Sequence, residues 1–163
     1  MINDAELVSL FKNEAERRAE FGAKMPPEAV SAEALNAARE MGLWLMGAFV
    51  REARPVIDGV RELIEPHGYS FTPLHPLYGR ALALQIDLIR NDDGAQFAPL
   101  VFALDRVSGE LRAFVQQFDG REAPDFKEPK ARARASVDAA WLNGVLRDYV
   151  ACMLRRRRVE GAN

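Results

Sequence analysis

The chain has 163 residues and a formal charge of −2, from 22 basic and 24 acidic side chains. That balance excludes a global pull toward nucleic acid or an anionic membrane, so any basic surface must be local. Length and a 48% hydrophobic content suit a single α+β domain over residues 1–163.

A lone cysteine, Cys152, forms no internal disulfide, and the opening "MINDAELVSL" lacks a basic stretch followed by an apolar one. Together these features lead to the expectation of a reducing, cytoplasmic setting.

The first helix is expected from Asp4 to about Phe21, with Asn3 and Glu6 spaced as a capping box. Leu7, Leu10 and Phe11 make a short apolar stripe on it. "KMPPEAVS" reads as a connector because neither proline belongs inside a helix.

A second helix starts near Ser31 and carries "MGLWLMGAFV", ten residues between Arg39–Glu40 and Arg51–Glu52. Ten is half of the ~20 residues needed to cross hydrocarbon, so no membrane span is expected. The run implies a helix covered on all sides, either by the rest of the fold or by a second subunit in a homodimer. Its stripe reads Leu35, Ala38, Gly42, Leu45 and Phe49. Pro55 predicts a kink or break. "PVIDGVRELIEPHG" then supplies another helical segment, closing the helical part at residue 66.

Residues 67–118 change period. "ALALQIDLIR" alternates, "NDDG" and "DRVSGE" are turns, and "FAPLVFALD" and "LRAFVQQF" are strands. "YSFTPL" adds a possible fourth strand. The expected sheet is an antiparallel meander of three or four strands. Its register sets Leu84 opposite Phe102, Ile86 opposite Leu100, Leu104 opposite Leu111, Phe102 opposite Ala113 and Leu100 opposite Val115.

Residues 119–134 read as an exposed loop, 135–158 as a C-terminal helix and 159–163 as a tail. The helix carries Val137, Trp141, Val145, Tyr149 and Met153 every four residues. The N-terminal helices and this last helix are expected to pack on one sheet face.

The opposite face mixes Ala83, Gln85, Asp87, Val101, Ala103, Arg112, Phe114 and Gln116. A purely solvated face would be more polar, so this one is a candidate partner or ligand surface. Phe114 would supply apolar contact beside Val101. Gln85, Asp87, Arg112 and Gln116 would orient a ligand, with Arg112 and Asp87 bracketing it. The alternative is that a loop or helix simply covers the face.

Two further readings compete. "HGYSFTPLHPLYGR" places His75 and Tyr78 ahead of Asp87, groups that a small enzyme could use in a pocket between the sheet and the His75–Arg80 loop. Arg155, Arg156, Arg157 and Arg158 form a local cationic run that could bind nucleic acid. The same run also suits a helix C-terminus, whose dipole favours cations. No zinc-ligand spacing and no glycine-rich phosphate loop occurs, so neither a metal nor a cofactor is expected.

Overall fold

The structure is a computed structural model, and it describes residues 2–24, 31–77, 80, 82–127 and 131–161. Its contacts group into two compact units, Met1–Arg39 and Glu40–Asn163.

Helix α1 spans Asp4–Lys24. Its capping box forms as the spacing predicts. Asn3 Oδ1 accepts from the Glu6 N–H at 2.9 Å, and Glu6 Oε2 accepts from the Asn3 N–H at 3.1 Å. Every described side chain from Ile2 to Arg17 is exposed, including Leu7, Leu10 and Phe11.

Helix α2 covers Ala32–Trp44, capped by the Ser31 hydroxyl on the Ala34 N–H at 3.0 Å. It runs through a π-helical turn, Leu45–Phe49, into α3, Val50–Ile64. Of the kink or break expected at Pro55, the break does not occur, because the proline sits within α3. The carbonyl it leaves unbonded belongs to Arg51, an exposed residue where solvent can serve. Gly68, at φ 88°, ends the short 3-10 turn that follows.

Of the two kinds of cover expected for "MGLWLMGAFV", the chain's own fold supplies only part. One stripe is buried, Met41, Leu45, Phe49, Ala53, Ile57 and Val60, while Leu43 and Met46 are 68% and 56% exposed. Leu35, placed on the buried stripe by its spacing, is exposed. The π turn adds a residue to the helical repeat, which shifts the face that a regular 3.6-residue period would assign.

All strand pairs are antiparallel. A five-stranded sheet has the order β2–β3–β5–β6–β7, with β2 His75–Pro76, β3 Ala83–Ile86, β5 Leu100–Leu104, β6 Leu111–Val115 and β7 Ala131–Arg132. β1 Tyr69–Phe71 and β4 Leu88–Arg90 form a separate two-stranded ribbon. The meander register is the one the alternation predicts, from Leu84↔Phe102 and Ile86↔Leu100 to Leu104↔Leu111. Two short edge strands and the ribbon go beyond the three or four strands expected.

The inner sheet face carries Leu84, Ile86, Leu100, Phe102, Leu104, Leu111, Ala113 and Val115 into one core. The α2–α3 stripe joins the same core, with Leu142, Val145, Leu146, Tyr149 and Met153 of α4, Ala139–Gly161. Asp138 caps α4 through its carboxylate on the Trp141 N–H at 2.9 Å. The segment read as an exposed loop contributes too. Ala123 and Phe126 are buried in this core, and the Ala123 N–H donates to Val115 O at 2.8 Å.

Candidate functional site

The outer sheet face is built from two cross-strand rows. One runs His75, Gln85, Val101 and Phe114, and the other Ala83, Ala103, Arg112 and Ala131. Alternation along β3, β5 and β6 puts these residues on one side.

The centre of this face is filled. Ala83, Val101, Ala103 and Phe114 form a small buried cluster with Leu77 packed on it, and Phe114 is only 6% exposed. Leu77 is held there by its N–H on Ala83 O at 3.0 Å. The guanidinium carbons of Arg80 and Arg112 lie 5.4 and 5.5 Å from the Phe114 ring centroid, within cation–π range. Of the two readings the sequence allows for this face, a binding surface or a covered one, Val101 and Phe114 are covered. Leu77, Arg80 and Arg112 lie against them.

At the rim, Arg112 pairs with Glu122 in a two-pronged contact of 3.0 and 3.1 Å, not with Asp87. Asp87 is buried and turned to Thr72: its N–H donates to the threonine hydroxyl at 2.8 Å, and its carboxylate accepts from that hydroxyl at 3.3 Å. Gln85 and Gln116 are half-buried, and the Gln116 Oε1 is buried without a hydrogen-bond partner among the described residues.

The proposed acid–base set is not assembled as a working group by its contacts. His75 Nδ1 donates to Pro73 O at 2.7 Å, within its own loop. Asp87 serves Thr72, and Tyr78 lies outside the described residues.

The C-terminal arginines divide. Both Arg156 donors grip Asp125, which is anchored beside the buried Phe126. The guanidinium hydrogen bond holds the Asp125 carboxyl well below its ordinary range, at about 2. The Cys152 thiol donates to the same carboxylate at 3.4 Å; burial, then the neighbouring negative charge, pushes the thiol up to about 11. It stays protonated at neutral pH, which makes it a poor nucleophile. Arg155 lines a cleft of about 310 Å³ with Asp125, Lys127, Asp148 and Cys152, a mixture of both charge signs. The side chains of Arg157 and Arg158 lie outside the described ones.

Sequence reasoning missed the Asp125–Arg156–Cys152 cluster. Its members are 27 and 31 residues apart, and Asp125 sits in a charged, proline-bearing stretch that reads as loop. Deeper in, Tyr149 OH donates to Ala98 O at 2.7 Å and accepts from the Leu88 N–H at 3.0 Å. Burial pushes this hydroxyl far above its ordinary range.

Exposed apolar side chains are unevenly spread. Of the twelve large ones among the described residues, eight fall between Ile2 and Met46, with Phe11 at 68%. Among the described residues no helix is long and apolar enough to cross a membrane, and no three His, Cys, Asp or Glu side chains gather as metal ligands. No family model, curated protein or solved structure matches the chain.

Proposed function

We propose that this protein is a non-catalytic partner-binding module that offers exposed apolar side chains on α1 and, separately, on the helix carrying Leu43 and Met46. The observation that carries this reading is the concentration of exposed Leu, Val, Phe, Ile and Met between Ile2 and Met46. On α1, Leu7, Leu10 and Phe11 share one helix face, and an exposed apolar stripe of this kind marks a surface that a partner covers.

The outer sheet face ranks second as a binding surface. Its rim groups Gln85, Arg112 and Gln116 remain, but Phe114 offers a ligand little area. The enzyme reading ranks lower because His75 and Asp87 are each bonded to neighbouring groups of the fold. The nucleic-acid reading ranks lower because Arg156 is spent on Asp125.

A photo-reactive side chain placed at Phe11, and separately at Leu43, tests the reading in a lysate of the source cells. A discrete covalent adduct is expected at both positions, lost when Leu7 and Leu10 are changed to serine in the Phe11 case. No adduct at either position would sink it.

A further inference from the structure

We infer that the groove lined by Trp44 and Arg134 binds a small anion, a carboxylate or phosphate joined to a flat apolar group. The inference does not rest on the partner-binding reading. The groove has a volume of about 470 Å³, and its other lining residues are Ser108, Gly109, Ala133 and Ala135. That volume suits a small molecule.

Arg134 carries the inference. Four arginines are half-buried among the described residues: Arg61, Arg90, Arg134 and Arg156. Arg61 pairs with Asp58, Arg90 with Asp92 and Asp93, and Arg156 with Asp125. The Arg134 guanidinium has neither an ion pair nor a hydrogen bond among the described residues. Half-burial of a cation without a counter-charge costs free energy, which an arriving anion offsets. The carboxylate of the neighbouring turn is engaged elsewhere: Asp105 accepts from the Val107 and Ser108 N–H groups at 2.8 Å each.

The guanidinium also has a seat. Gly109, at φ 72°, closes the turn between β5 and β6, with its N–H on Asp105 O at 2.8 Å. A Cβ at that position would meet Arg134 Nη2 at 3.4 Å, Nε at 3.6 Å and Cζ at 3.8 Å. The turn that needs a left-handed residue therefore also leaves room for the arginine. A seated guanidinium offers a planar fork of N–H donors, which takes carboxylate or phosphate oxygens two at a time.

Trp44 supplies the apolar half of the recognition. Its ring is half-buried and lies 5.7 Å from Phe49, centroid to centroid, which ties it to the core. The alanines on either side of Arg134 are small and exposed, so they leave space for a ligand body against the indole. A bare inorganic anion would use Arg134 alone, whereas an anion with a flat apolar group uses both.

Titration of the full chain with benzoate and with phenyl phosphate tests the site, followed by the indole N–H signals of Trp44 and Trp141 in two-dimensional NMR. Trp44→Phe assigns the two signals. A saturable shift of the Trp44 signal is expected with at least one anion, while that of Trp141, packed against the core from α4, stays in place. The tighter of the two anions names the source, carboxylate or phosphate. Benzamide has the ring without the charge; acetate and inorganic phosphate have the charge without the ring. Each should bind about tenfold more weakly. Arg134→Gln should raise the dissociation constant by about tenfold or more, and Arg134→Lys, which keeps the charge and loses the fork, should raise it by less. Arg147→Gln, at an exposed arginine on α4 outside the groove, should leave it unchanged.

No saturable shift at Trp44 with either anion up to ~10 mM would overturn the inference. So would an Arg134→Gln chain that binds as the wild type does, or benzamide binding as tightly as the better anion. A shift that Trp141 shares would also overturn it, in favour of weak binding over the whole surface.

Discussion

Phe11 and Phe49 are the same residue in the same kind of structure, and their environments are opposite. Phe49 is 1% exposed, with its ring centroid 5.1 Å from that of Phe102 and 5.7 Å from that of Trp44. Phe11 projects into solvent from a helix that buries none of its described side chains up to Arg17. The first is held by tertiary packing and the second by local features: a capping box, acidic residues in the first turn and good helix formers. Spacing tells which residues share a face; it does not tell whether anything covers that face.

The comparison makes the size of a mutational effect depend on position more than on residue type. The largest effect is expected for Phe114→Ser. The ring fills the centre of the outer-face cluster, and removing it leaves a cavity under Arg80 and Arg112. A loss of ~3 kcal/mol is expected, at the low end for a buried phenylalanine because the cluster is small. A urea midpoint unchanged by the substitution would return Phe114 to the surface.

Tyr149→Phe comes next. It removes one hydroxyl and strands two buried backbone groups, the Leu88 N–H and the Ala98 carbonyl. A cost of about 2 kcal/mol is expected, with an unchanged denaturant slope. A near-neutral result would mean that water reaches β4 and takes the place of the phenol.

Arg156→Ala is smaller and shows best in acid. Asp125 has a folded pKa of about 2, below the ordinary 3.8. Its pairing therefore stabilises the fold above about pH 4 and is lost as pH falls toward about pH 2. The Asp125 side chain is 43% exposed, so solvent screening keeps the contribution under ~1 kcal/mol. The variant should lose stability at neutral pH and show a flatter acid limb. Parallel acid limbs in the two proteins would show that the pair contributes nothing in solution.

The smallest effect is expected for Phe11→Ser, whose ring is 68% exposed. The melting transition should move by less than ~0.5 kcal/mol equivalent, as for other exposed sites. A shift of several degrees there would erase the contrast with Phe49 and give α1 a packed role within its own chain.

Much of the sheet is legible in the sequence. Alternation along Leu82–Leu88, Leu100–Leu104 and Leu111–Val115, with turns of defined length between, leaves one register that keeps every large aliphatic side chain on the same face. The helix starts at Asn3 and Ser31 were legible for the same reason, since a cap is a contact between residues three apart. What could not be read were pairings across long separations. β7 joins the sheet from a stretch that looks like loop, Asp125 meets Arg156 across 31 residues, and Asp87 turns to Thr72 across 15.

Local order thus came from the sequence through short-range rules: period, caps and turns, each decided by atoms a few residues apart. Whether the outer face stood open was decided only when the chain folded. Leu77 and Arg80 reach Phe114 because the return of β2 onto β3 carries them there, and no spacing rule on either segment encodes that meeting.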